Sequence, residues 1–100
     1  MIAEKWQNLT IFEQLGNIAS EISRAIVWEK KMDDKTKKNS LARALELINL
    51  TLANKNLKNG LKEITRLQEL VADNYAGEKT YDVSLEDLYN CLLPFAVISK

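Results

Sequence analysis

An all-α fold, an antiparallel up-down-up-down four-helix bundle, is what this sequence predicts. Three observations lead there. Apolar residues recur with a period near 3.6 in four separate segments. Glycine and proline number three and one in 100 residues, too few for the turns of a β fold. The connections between segments are short, so helices that follow one another run antiparallel. A chain of this length forms a single domain, 1–100, with one small core.

The first helix has a clear start. In "TIFE" the Thr10 hydroxyl can accept from the backbone of the third helical residue while Glu13 reaches back, a capping box. Ile11, Phe12, Leu15, Ile18, Ala19, Ile22, Ala25 and Ile26 then form one broad stripe, and the helix should run to about Met32, with Lys30 and Lys31 complementing its carbonyl end. "DDKTKKN", Asp33 to Asn39, reads as a charged, solvated linker, with a frayed helix start as the alternative. The second helix follows in "SLARALELINLTLAN", with Leu41, Leu45, Ile48 and Leu52 facing inward. "NKNLKNG" is rich in turn residues. The third helix extends from about Leu57 to Ala76 with Leu57, Leu61, Ile64, Leu67, Val71 and Tyr75 as its stripe, and Gly77 sits where a left-handed cap belongs. "SLED", Ser84 to Asp87, is a weaker capping box. The short fourth helix carries Leu85, Leu88, Tyr89 and Leu92 and should kink or end at Pro94, which lacks an N–H. The apolar tail "FAVIS" should pack on the bundle.

Composition narrows the chemistry. Fourteen basic and fourteen acidic side chains leave a net charge of zero. They are unevenly spread: ten basic and five acidic groups between residues 29 and 66 give net +5, and two basic and six acidic groups from residue 67 onward give net −4. Such a dipolar chain can self-associate or pair its own segments, and it lacks the broad positive excess of a dedicated nucleic-acid binder. The longest uncharged apolar stretch, "CLLPFAVIS", is far shorter than a bilayer span, and "MIAEKWQN" has no signal-peptide pattern. One cysteine cannot form an internal disulfide. A reduced, cytoplasmic protein without membrane contact is expected.

No histidine is present, which removes the commonest general base and metal ligand. The three glycines are isolated, so no phosphate-cradling loop exists. Adjacent carboxylates such as Asp33 and Asp34 point about 100° apart on a helix and share no face. Cys91, beside Leu92 and Leu93, reads as a buried structural residue. The expectation is a protein that is not an enzyme, with no catalytic residue, no metal and no cofactor.

Three surface features remain. Gly16, Ser20 and Ser23 lie together beside the core stripe of the first helix and suit a close seam with another helix. Trp28 lies across that helix, on a face with Asn17, Glu21 and Arg24, where Arg24 could stack on the indole. Together with Leu50, nearly opposite Leu45 and Ile48, and Leu47 on its flank, Trp28 forms a candidate interface for a homo-oligomer or another protein partner. Lys55, Lys58, Lys62 and Arg66 form a row on the third helix, an alternative nucleic-acid contact. No aromatic residue interleaves that row, and Glu69 and Asp73 continue it with opposite sign.

The segments "FEQLGNIASEISRAIVWEKK" and "LARALELINLTLANKN…LKEITRLQEL" resemble a group of short, uncharacterised prokaryotic proteins, over roughly residues 6–98. In general shape the chain is also similar to the small four-helix bundles associated with ribosomal-RNA intervening sequences, and to the related accessory variability protein of diversity-generating retroelements. That resemblance implies an oligomer. In the retroelement case it further implies binding of nucleic acid and a reverse transcriptase through basic surfaces, a pattern from which the zero net charge departs. The function expected is a non-catalytic helical interaction module that self-associates. The alternative is an accessory protein that touches nucleic acid through the basic row.

Overall fold

The computed structural model shows five helices among the described residues: α1 (Ile2–Gln7), α2 (Ile11–Lys30), α3 (Asp34–Leu52), α4 (Leu61–Ala76) and α5 (Leu85–Ile98). The structure describes the backbone of residues 2–53, 61–78 and 80–98 and the side chains of 5–53, 61–78 and 80–93, and no strand occurs among them. The fold is all-helical.

Local chemistry sets the helix ends. Thr10 accepts from the Glu13 amide at 3.1 Å and Glu13 accepts from the Thr10 amide at 2.9 Å, the complete capping box. Ser84 and Asp87 repeat the exchange at 3.1 and 3.4 Å. Gly77 adopts φ +73° and its N–H reaches the Asp73 carbonyl at 2.9 Å, the left-handed cap that closes α4.

Four expectations about the elements are revised. Residues 33–39 are not a linker: Asp33 caps α3 by accepting from the Thr36 amide (3.1 Å) and hydroxyl (2.8 Å). Lys37 and Lys38 then pair with Asp34 at 3.7 and 3.8 Å, so this stretch is helical without an apolar stripe. α5 does not end at Pro94 but continues to Ile98. A proline removes one helical hydrogen bond, and the carbonyl it strands belongs to exposed Asn90, where water can satisfy it. α1 is an additional helix, too short to show a period. Cys91 is exposed, because the buried line of α5 is Leu85, Leu88 and Leu92 and Cys91 sits to its side.

α2 carries the most extensive packing, with α3 along one flank and α5 along another. α4 leans on α3 and touches α5 more sparingly, and α1 lies on α3. Ile18, Ile22, Ala25, Leu41, Ala44, Ile48 and Val71 are fully buried where these helices meet. On α3 the inner line is Leu41, Ala44, Ile48 and Thr51, while Leu45 and Leu52 are half-buried at its edge. On α4 the inner line is Ile64, Leu67 and Val71. Leu61 and Tyr75, at the ends of the expected stripe, are exposed, and Leu57 lies outside the described residues. The radius of gyration, 13.0 Å, matches the roughly 13 Å of a compact chain of this length.

Candidate functional site

α4 is bonded to the segment that leads into α5. There the Asn74 side-chain amide donates to the carbonyls of Leu70 (3.0 Å) and Val83 (2.9 Å), and the buried Asp73 carboxylate accepts the amides of Thr80 (2.9 Å) and Tyr81 (3.3 Å). These bonds tie the α4–α5 connection down. A polar depression of about 310 Å³ opens beside them, lined by Glu29, Lys37, Asp73, Asn74, Asp82 and Asp87 among others. Its lining draws on the C-terminal ends of α2 and α4 and the N-terminal ends of α3 and α5.

A groove of about 780 Å³ lies between α2, α4 and α5. Ile11, Phe12 and Leu15 come from α2, Ile64, Leu67 and Leu70 from α4, and Leu88, Cys91 and Leu92 from α5. The charged residues of its lining, Lys62, Glu63 and Arg66, all stand on α4. Arg66 contacts Glu69 at 3.5 Å and lies 4.7 Å from the centre of the Tyr81 ring. The groove was not anticipated. Its signal in the sequence is an apolar arc wider than one helix seam needs: Phe12 widens the arc of α2, and Leu70 widens that of α4.

The surface residues singled out from the sequence fall differently. Trp28 is half-buried, with the Lys31 ammonium 5.0 Å from its ring centre. Arg24 pairs with Glu21 instead of stacking on the indole. Glu21 is itself buried and Trp28 half-buried, while Asn17 and Arg24 on the same face are exposed. Leu47 and Leu50 are half-buried and pack against the core rather than standing out. The cause is α1, which lies on this end of α3, with Gln7 donating to the Leu50 carbonyl at 2.9 Å. Of the expected seam residues, Gly16 is buried and Ser23 half-buried. Ser20 is exposed and donates to the Gly16 carbonyl at 3.1 Å.

In the basic row, Lys62 and Arg66 are exposed, and Lys55 and Lys58 lie outside the described residues. The Tyr81 ring against Arg66 comes from the α4–α5 connection, an aromatic neighbour that helical spacing could not reveal. Among the described residues no cluster of three or more histidine, cysteine, aspartate or glutamate side chains could hold a metal ion. No described helix is long and apolar enough to cross a membrane. No protein-family model, no curated protein and no solved structure matches the chain.

Proposed function

We propose that the chain is a non-catalytic helical binding module whose working surface is the groove between α2, α4 and α5. The observation that carries this reading is the groove itself, about 780 Å³ of almost wholly apolar lining in a chain of 100 residues. An apolar concavity of this volume between helices is the form that small-molecule sites take. The reading rests on the groove rather than on Trp28, Leu47 and Leu50, because those three are half-buried. The absence of histidine from the chain supports a binding role over catalysis.

The long helices are best read as an antiparallel four-helix bundle braced by α1. Two observations support this. The C-terminal ends of α2 and α4 gather with the N-terminal ends of α3 and α5 around the polar depression. The N-terminal halves of α2 and α4 meet the later part of α5 at the groove. Alternating directions of this kind are those of an up-down-up-down bundle.

A neutral solvatochromic dye such as Nile red tests the groove. The wild type should take it up saturably with a blue shift. Leu70→Glu, checked for retained helicity, should not, and alkylating Cys91 with a bulky maleimide should also block uptake. A wild type that takes up no dye overturns the reading.

A further inference from the structure

We propose that the groove takes a single-chain amphiphile with an anionic head, of the long-chain carboxylate type, bound as a monomer. The alkyl chain would lie along Leu15, Leu67, Leu70 and Leu92, with its head at Lys62 and Arg66. The proposal rests on the groove being the working surface. It adds the chemistry of the occupant.

The volume is the first reason. About 780 Å³ falls within the roughly 300–1,000 Å³ of small-molecule sites, which in helical proteins open between helices. The distribution of polarity is the second. Among the described residues the floor offers no hydrogen-bonding pattern for a sugar, a base or a peptide backbone, and the charged ones all stand on one wall, α4. An occupant matched to that arrangement is apolar along most of its length and polar at one end.

The sign of the charge follows from the partners. Lys62 and Arg66 are four residues apart and so share a face of α4. Lys62 makes no ion pair among the described residues. Arg66 has an exposed 3.5 Å contact with Glu69, a kind of pair that contributes little and can be exchanged, and its guanidinium also lies 4.7 Å from the centre of the Tyr81 ring. Glu63 is the single anion of the lining, so the rim carries net +1. Two like charges one turn apart repel each other, and an anion between them relieves that repulsion.

Cys91, the chain's one cysteine, lines the groove and is exposed, so its alkylation rate reports occupancy. The full chain is titrated with dodecanoate, dodecanol and dodecylamine, each below its aggregation threshold. Dodecanoate should protect Cys91 at a concentration about three- to tenfold lower than dodecanol, and dodecylamine should be the weakest. The advantage of the carboxylate should vanish in Lys62→Gln/Arg66→Gln and at high salt, while that variant still takes up the neutral dye. Equal protection by dodecanoate and dodecanol overturns the anionic head and leaves the groove reading standing. Dye uptake with no protection by any of the three overturns the amphiphile alone. Loss of both overturns both. Protection that rises with protein concentration and no ligand makes a second copy the occupant, and protection by anionic vesicles but not by monomeric dodecanoate makes it a membrane surface; either result overturns the proposal.

Discussion

The indole N–H of Trp6 donates to the Thr51 hydroxyl at 3.0 Å, joining residues 45 apart in the chain. Thr51 passes its own proton to the Leu47 carbonyl at 3.1 Å. The Trp6 carbonyl in turn accepts from the buried Gln14 amide at 2.9 Å. A six-residue helix has no stability alone. α1 therefore exists because its tryptophan, 5% exposed, is held between α2 and α3.

Thr51→Val should destabilise the fold by about 1–3 kcal/mol, because it leaves a buried indole N–H without an acceptor. Trp6→Ala should cost more, about 3–5 kcal/mol, since the packing is lost as well. Urea denaturation followed by circular dichroism measures both. A Thr51→Val midpoint equal to that of the wild type would show that water replaces the hydroxyl.

Met32→Gly should raise stability by about 0.5–1 kcal/mol. Met32 sits at φ 59° just past α2, its N–H bonded to the Glu29 carbonyl (3.0 Å) and the Asp33 N–H to that of Trp28 (2.9 Å). These are the two bonds of a Schellman cap, whose left-handed position favours glycine. A side chain there costs about 1–2 kcal/mol, and glycine gives back about half through the freedom of the unfolded chain. The methionine side chain is 90% exposed and offsets none of this. An unchanged or lowered midpoint in urea would count against the strain.

What could be read from the sequence divides by range. Thr10 with Glu13, Ser84 with Asp87, and Gly77 act within one turn, so their spacing alone announces them. Asp33 acts over the same range but was hidden, because a cap that opens a run of lysines looks like a linker. Trp6 was invisible for the opposite reason: its partner is 45 residues away. The groove depends on how far α4 stands from α2 and α5, which no single-helix pattern encodes. Cys91 shows the limit well. Its apolar neighbours suggested burial, and only the rotation of α5 about its axis decided otherwise.

Acid should weaken the start of α3. The Asp33 carboxyl is held below its usual value of 3.8, chiefly by the Thr36 amide and then by the Thr36 hydroxyl. A depressed carboxyl adds stability that is fully present above 3.8 and is lost as pH falls through the lower folded value. Asp33→Asn keeps a cap without the charge, so its stability should fall less than the wild type's over that acidic window. Denaturation midpoints at neutral and acidic pH check this. Parallel losses in the two proteins would rule the Asp33 carboxylate out as the titrating group.

Glu21 poses the sharpest question of sign. It is 7% exposed, one carboxylate oxygen accepts from Arg24, and the other has no hydrogen-bond partner among the described residues. Burying a carboxylate costs free energy, and an arginine whose side chain is 60% exposed recovers only part of it. Removing the arginine strands the charge, whereas replacing the carboxylate removes the cost itself. Arg24→Ala should therefore destabilise the fold by about 1–2 kcal/mol. Glu21→Met should leave stability unchanged or raise it by about 1 kcal/mol. In the double variant the arginine should no longer matter. If Glu21→Met instead destabilises as much as Arg24→Ala, the pair is a net attraction and the burial of the carboxylate is not a net cost.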